Sequence, residues 1–219
     1  MSVQSYAQHG EDLQIAYFLG SNKGKHYIDV GCLWPQKLSN SYFFYERDGS
    51  GLCIDPNPEV GADYARVRPR DTFLNVGIGS GPGALAYNMY ENPVFNTFSA
   101  ERADFVLRKS KVRGGRDLIR TVDIEVMTLD AAVDAAGFAD RCDGVLDFLT
   151  IDVEGLETAV VEGFSFDALR PRLVVLEHIR RRRTDAPPAE TPLYEAMVDR
   201  GYWMAGYTGH DMYFLDETA

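Results

Sequence analysis

Five carboxylates stand at or next to the carboxyl ends of short apolar runs, and they are the clearest sign of chemistry in this sequence. They are Asp29, Asp55, Asp152, Glu154 and Glu177. In an open α/β sheet the carboxyl ends of parallel strands meet at one edge, and ligands bind there. A carboxylate in a buried strand needs a partner, so five at one edge favour a binding site over five separate structural roles.

The spacing of the first two acids indicates a nucleotide-binding unit. The apolar run 27–30 ends at Gly31, a segment of helical length covers 39–48, and the run 52–54 ends at Asp55. In such a unit the glycine turn lets a ligand approach the backbone, and the acid accepts hydrogen bonds from ribose hydroxyls. The residues after Gly31 do not complete a G-x-G-x-x-G fingerprint. This argues against a dinucleotide and favours an adenosine ligand without phosphates.

Strands and helices alternate through most of the chain, which predicts a mostly parallel sheet with helices on both faces. We expect a third strand over 71–79, a hairpin turn from it into a strand at 84–90, and a strand at 121–127. Further strands are expected at 145–155, 173–178, 202–207 and 211–215, the last two antiparallel. Helices are expected at 58–69, 129–136, 156–162 and 193–199.

The length predicts one domain over residues 1–219. A helix at about 8–19 has apolar side chains near the helical period and is expected to cap the ligand site. The segment at about 91–117 shows no regular pattern, and a stretch of that length in a compact domain is typical of a lid or binding loop.

Composition limits the partners. The formal net charge of −11 argues against nucleic acid and anionic membranes, and no apolar run is long enough to enter a bilayer. Cys32, Cys53 and Cys142 match no metal-binding spacing and indicate reduced thiols in a cytoplasmic protein. Residues 180–183 are four arginines, either a solvated segment or a clamp for an anionic or sugar-phosphate substrate. The sequence does not predict the oligomeric state.

Six segments, in this order, resemble the FkbM-type family of class I S-adenosylmethionine-dependent methyltransferases. They are YAQHGEDL at 6–13, YIDVG at 27–31, SNSYFFYE at 39–46, GLCIDPNP at 51–58, MTLD at 127–130 and FLTIDVEG at 148–155. The resemblance implies a Rossmann-like, doubly wound α/β fold. Its sheet would be mostly parallel and seven-stranded, with an antiparallel C-terminal strand. It also implies S-adenosyl-L-methionine as the cofactor.

The same resemblance assigns the cofactor site to residues at the ends of successive strands: Asp29, Gly31, Asp55, Pro56, Asn75, Val76, Asp152 and Glu154. Asp29 and Gly31 would line the methionine portion, and Asp55 would hold the ribose hydroxyls. Asn75 and Val76 would lie near the adenine. Asp152 and Glu154 would lie beside the methyl group, in contact with the cofactor's amino group, the acceptor or a divalent ion. An acid-lined edge suits the sulfonium and ammonium cations of this cofactor.

The predicted reaction is methyl transfer to an oxygen of a small molecule or glycan, with a hydroxyl of a sugar or secondary metabolite as acceptor. The sulfonium is already activated, so the protein mainly aligns the acceptor and removes the hydroxyl proton. His178 is the first candidate base because histidine titrates near neutrality, and Asp152 is the alternative. Asp152, Glu154 and Glu177 also offer the oxygen ligands that magnesium accepts.

Two other functions remain open at this point. A nicotinamide-dependent oxidoreductase on a related sheet would bind NADH tightly, although the glycine fingerprint for such a cofactor is missing. A catalytically silent domain that binds the cofactor or a protein partner would hold S-adenosylmethionine without transferring its methyl group. The acids at the strand ends favour a cofactor site but do not by themselves demonstrate turnover.

Overall fold

The computed structural model describes residues 3–20, 22–110, 116–167, 169–179 and 186–218. The four arginines at 180–183 therefore lie outside the described residues, as does part of the predicted insertion, 111–115. In the described part of the chain, no helix is long and apolar enough to cross a membrane. All three cysteines are buried free thiols.

The strands in chain order are β1 (His26–Val30), β2 (Ser50–Ile54), β3 (Thr72–Leu74), β4 (Gly77–Ile78), β5 (Gly83–Tyr90), β6 (Leu118–Met127), β7 (Leu146–Ile151), β8 (Pro171–Glu177), β9 (Tyr202–Tyr207) and β10 (Asp211–Asp216). The helices are α1 (Glu11–Leu19), α2 (Tyr42–Tyr45), α3 (Gly61–Val67), α4 (Ala100–Ser110), α5 (Leu129–Ala136), α6 (Phe138–Arg141), α7 (Glu157–Glu162) and α8 (Pro192–Val198). Short 3-10 turns cover Pro93–Phe95 and Pro188–Glu190.

The main sheet has seven strands in the order β3-β2-β1-β7-β8-β10-β9. The neighbouring strands β3, β2, β1, β7 and β8 pair in parallel. β10 is antiparallel to both of its neighbours, β8 and β9. The chain moves outward from β1 to β3 and then returns to place β7 on the other side of β1. This reversal leaves a crevice beside the carboxyl ends of β1 and β7, where ligands bind in open α/β sheets.

The central strands read as apolar runs because both of their faces are covered. On β1, Ile28 and Val30 face a core that includes residues of α5, α7 and α8. Tyr27 faces a second core with residues of α1, α2 and α3. Helices therefore pack on both faces of the sheet, and the predicted Rossmann-like, doubly wound fold with its seven-stranded, mostly parallel sheet and antiparallel C-terminal strand is confirmed.

The region after β3 differs from the prediction. The expected strand 71–79 divides into β3 and β4, which lie in different sheets, because the intervening Asn75 side chain bonds to the backbone of Asp55 and Asn57. The expected hairpin between β4 and the next strand is wrong. β6 lies between β4 and β5, and its Val126 is opposite both Gly77 and Gly83.

Two helices also differ from the prediction. The expected helix at 39–48 is reduced to the single turn α2, because the side chains of Ser39 and Ser41 are engaged in hydrogen bonds around a buried arginine, Arg68. The segment 91–117, expected to be irregular, contains the 11-residue helix α4, which buries Ala103 and Val106 at a helical spacing. A lid function for this segment stays a prediction.

Candidate active site

A cleft lies at the carboxyl edge of the main sheet, beside β1 and β7. Its walls are the turns after β1, β2, β7 and β8, the connection between β3 and β4, and the segment 93–98. The space between these walls measures about 870 Å³, solvent at the mouth included. We call it the first cleft.

Gly31 brings the turn after β1 against the end of β7. Its φ of +84° is in the left-handed region, and a Cβ added there would lie 1.8 Å from the carbonyl oxygen of Asp152. The Gly31 N–H donates to the Ile54 carbonyl, and the Asp152 N–H donates to the Val30 carbonyl. Only glycine fits this turn without moving the backbone, and its absent side chain keeps the floor of the cleft open.

Asp55 is held at the end of β2 by two neighbouring turns. One carboxylate oxygen accepts the Leu33 N–H and the other accepts the Asn57 N–H, each at 2.8 Å. Asn75 donates its side-chain amide to the Asp55 and Asn57 carbonyls at 2.8 and 2.9 Å. Burial raises the pKa of Asp55 to about 6, and the two backbone N–H groups oppose that rise. The carboxylate is thus fixed in the cleft with lone pairs left for a ligand.

Asp29 lies beneath the cleft and is not among its lining residues. It is buried and accepts a short hydrogen bond from Ser41. Ser41 in turn accepts a hydrogen bond from Arg68, which forms a fully buried ion pair with Asp71 at 2.6 Å. Burial raises the pKa of Asp29 to about 6. In this arrangement Asp29 supports the segment after β1.

Three carboxylates meet where β7 and β8 end. Oxygens of Asp152, Glu157 and Glu177 all lie within 4.8 Å of one another, and no other group of acids, histidines or cysteines in the described residues does so. Asp152 lies deep among protein atoms, yet the cleft leaves more than a third of it exposed. Burial raises the pKa of Asp152, and the carboxylates of Glu177 and Glu157 raise it further. The pKa of Glu177 is raised to about 8 by burial and then by Glu154 and Glu157.

Glu154 is not part of this carboxylate group, although the sequence grouped it with Asp152 and Glu177 as metal ligands. Its φ is +55°, and its carboxylate forms a short ion pair with Arg102 of α4. The turn is held by Thr97, which donates to the Glu154 carbonyl at 3.2 Å. Glu157 takes the predicted place of Glu154 in the group. One of its oxygens also accepts two backbone N–H groups of the turn 153–155.

A second cleft adjoins the first one on the side of α4. Glu154 and Glu177 line both clefts. Its other walls come from α4 and from the ends of β7 and β8, and include Arg102, Phe105 and His178. A ligand in the second cleft would therefore meet a ligand in the first one beside these two carboxylates.

The structure brings most of the predicted cofactor residues to the first cleft: Gly31, Asp55, Pro56, Val76, Asp152 and Glu154. Asp29 and Asn75 do not line it. Asn75 donates to the carbonyl of Asp55, which does line the cleft, whereas Asp29 is bonded to Ser41. His178 lines only the second cleft, and its Nε2 has no hydrogen-bond partner among the described residues. The binding and catalytic roles of these residues stay predictions.

Sequence reasoning missed Glu157, which lines the second cleft. It singled out no individual contact for Gln8, Tyr87 or the segment 93–98, which line the first cleft, although it placed Gln8 in the cap helix and 93–98 in the predicted lid or binding loop. Glu157 follows Gly155 by two residues at the start of α7, where an acid ordinarily serves the helix dipole. No sequence signal separates that role from the contacts it makes. Tyr87 and the segment 93–98 depend on the small sheet, whose pairing the sequence did not indicate.

The apo protein is expected to lose stability as pH rises from about 4 to about 7. Asp29 and Asp55 have pKa values of about 6 in the folded chain, and Asp211 has one of about 7. Each pKa is raised by burial from 3.8, so the folded chain holds protons that the unfolded chain has released. The free energy of unfolding is therefore greatest at low pH and falls as pH rises through these values.

Differential scanning calorimetry tests this expectation. Tm should fall by about 2–4 °C for each kcal/mol lost, and the fall should be smaller in Asp211→Asn. The pKa of Asp216 is lowered, so this carboxylate makes the free energy of unfolding rise with pH. It is one group against the three whose pKa values are raised. A Tm that rises steadily over this range would contradict the burial described for these carboxylates.

Comparison with known proteins assigns this arrangement to one family. The model of the methyltransferase FkbM domain matches residues 19–204, which is most of the chain. The resemblance predicted from six sequence segments is thereby confirmed. A comparison with curated proteins found no significant match.

Proposed function

The chain belongs to the FkbM methyltransferase family, and we propose that it transfers the methyl group of S-adenosylmethionine to a hydroxyl oxygen of a sugar, glycan or secondary metabolite. The observation that carries this proposal is the pair of clefts that meet at Glu154 and Glu177. A donor in one cleft and an acceptor in the other would have their reacting atoms at the shared boundary. In this account the enzyme acts in the cytoplasm, where its thiols stay reduced.

The charge and the polar groups of the first cleft suit the cofactor. Asp55 would accept hydrogen bonds from the ribose hydroxyls, and Val76 and Ile78 would cover the adenine. Asp152, at the other end of the cleft, would face the ammonium and sulfonium groups. Both groups are cations, and the described lining residues of this cleft include acids but no lysine or arginine. The electrostatic environment therefore favours this end for the positive part of the cofactor.

The second cleft supplies an acceptor site with groups suited to a hydroxylated ring. Phe105 offers an apolar face, and the carboxylates of Glu154 and Glu177 offer hydrogen-bond acceptors. Transfer would occur by in-line attack of the acceptor oxygen on the methyl carbon, with the oxygen losing its proton. His178 lines this cleft and is the first candidate base, and Asp152 at the boundary is the alternative.

The carboxylate group Asp152, Glu157 and Glu177 has the hard oxygen atoms that magnesium accepts. A chelator distinguishes metal-assisted transfer from transfer that needs only side chains. Activity that is lost in excess EDTA and restored by Mg²⁺ would assign this group to a metal. Full activity in EDTA would leave the carboxylates to the cofactor, the acceptor and the proton transfer.

The proposed activity is tested with S-adenosylmethionine that carries a labelled methyl group. The purified protein is incubated with hydroxylated acceptors, including sugars, glycans and polyketides, and the products are identified by mass spectrometry. Transfer to oxygen, reduced by roughly 100-fold in His178→Gln if His178 is the base, is the expected result. Cofactor binding without transfer to any acceptor would favour a non-catalytic binding domain.

A further inference from the structure

The segment before α1 is held firmly although it has no regular secondary structure. Asp12, fully buried at the start of α1, accepts hydrogen bonds from the Ser5 hydroxyl and the Tyr6 N–H, both at 2.7 Å. The Tyr6 carbonyl accepts the N–H of Ser39 at 3.1 Å. These bonds fix the first half of the segment beside the chain that follows β1.

The other end of the segment is attached on the far side of the first cleft. The His9 N–H donates to Glu11 at 2.7 Å, and the His9 ring stacks on His210 with 3.9 Å between ring centroids. His210 directly precedes Asp211, which is opposite Glu177 in the pairing of β10 with β8. The segment therefore crosses the carboxyl edge of the sheet from the β1 side to the β8 side. Gln8 lies within it and lines the first cleft.

The acidic lining residues of the first cleft offer no charged partner for a ligand carboxylate, and this draws attention to Gln8. S-adenosylmethionine carries a carboxylate beside its ammonium group, and the charged lining residues in the described part of the chain are all acids. The backbone N–H groups of Gly31, Cys32 and Leu33 already donate to Ile54 or Asp55. Among the described lining residues, a cofactor carboxylate thus meets no cationic side chain, and the backbone N–H groups of residues 31–33 are occupied.

Gln8 offers a neutral donor that this carboxylate needs. Its side chain is exposed at the mouth, and the terminal amide has two N–H groups and no charge. The other amide lining the cleft, that of Asn96, is 6% exposed. Its oxygen accepts the Tyr90 N–H, and its Nδ2 has no hydrogen-bond partner among the described residues but is buried away from the mouth. Gln8 is therefore the better-placed amide for a ligand at the mouth of the cleft.

We propose that Gln8 donates a hydrogen bond to the carboxylate of the cofactor's methionine portion, so that the segment before α1 forms part of the cofactor site. This inference rests on the proposed function, because it takes S-adenosylmethionine as the ligand. Gln8 lies before the family match, which begins at residue 19, and within the segment 6–13 that resembles the family. With the ammonium toward Asp152 and the carboxylate toward Gln8, the two charged groups of the cofactor meet different sides of the cleft.

Isothermal titration with two ligands that differ only in the carboxylate tests this contact. S-adenosylmethionine and its decarboxylated analogue are titrated into the wild type, Gln8→Ala and the control Gln14→Ala, whose glutamine is exposed on α1. Gln8→Ala should weaken S-adenosylmethionine binding roughly tenfold, as expected for a hydrogen bond to a charged group. Binding of the decarboxylated analogue should stay unchanged, and Gln14→Ala should bind both ligands as the wild type does.

Each contrary outcome has a separate meaning. Equal weakening of both ligands by Gln8→Ala would show a role in shaping the mouth and would overturn the proposed contact. Unchanged binding of S-adenosylmethionine by Gln8→Ala would overturn it as well, while leaving the proposed function intact. Absence of binding by the wild type would overturn the proposed function, and this inference with it.

Discussion

Replacing Gly31 by alanine is expected to destabilise the protein by more than about 3 kcal/mol and to abolish cofactor binding. The added Cβ would lie 1.8 Å from the Asp152 carbonyl oxygen, so the ends of β1 and β7 would have to separate. The residue would also keep an unfavourable left-handed conformation, with φ of +84°. Urea unfolding followed by circular dichroism measures the loss of stability.

A matched glycine separates these two effects. Gly137 has a φ of +55° at the end of α5, but a Cβ added there would meet no atom within 4 Å. Gly137→Ala should therefore lose only the conformational part, about 1–2 kcal/mol, and keep cofactor binding. Equal losses in the two variants would show that the close approach of β1 and β7 is not rigid.

Replacing Asp55 by alanine is expected to weaken S-adenosylhomocysteine binding by about a hundredfold or more. The variant loses the charged acceptor for the ribose hydroxyls. It also loses the partner of the Leu33 and Asn57 N–H groups, whose turns form part of the cleft wall. Isothermal titration measures the change in affinity.

Two further variants show whether the loss of affinity is specific to the Asp55 carboxylate. Asp55→Asn keeps one carbonyl oxygen for a backbone N–H and should bind more tightly than Asp55→Ala, but still more weakly than the wild type. Asp63→Ala removes an exposed carboxylate of α3 that pairs with Arg66 at the surface, and it should bind normally. Wild-type affinity in Asp55→Ala would remove Asp55 from the cofactor site.

The main sheet was predictable because its central strands have a simple local sequence pattern. A strand that is buried along its whole length, such as β7, is mostly apolar, and the glycines and acids that follow such strands mark their ends. The antiparallel pair β9 and β10 was predictable because residues 208–210 join two short strands. These signals are local and do not depend on distant contacts.

The small sheet and α4 were not predictable in the same way. β6 shows a clear strand pattern, but its position between β4 and β5 depends on where the chain returns after α4. The start of α4 is fixed by Ser99, whose hydroxyl accepts the Arg102 N–H, within a stretch rich in charged residues. Most of the described part of this helix is solvated, and its apolar face is short, so it is easily taken for an irregular polar segment.

In the candidate site, too, some residues were located from the sequence and others were not. Gly31, Asp55 and Asp152 follow strands directly, and the resemblance placed them at the sheet edge where the structure also has them. Asp29 was expected to line the cleft, but it shares the face of β1 that carries Tyr27 and is covered by Ser41. The contacts of Glu157 depend on the left-handed turn at Glu154, which only the folded backbone reveals.

The most direct test of the central claim is isothermal titration of the wild-type protein with S-adenosylmethionine and S-adenosylhomocysteine. The account predicts one site per chain with a micromolar dissociation constant, which corresponds to about −8 kcal/mol. Absence of binding by the folded protein would contradict the assignment of the first cleft to this cofactor.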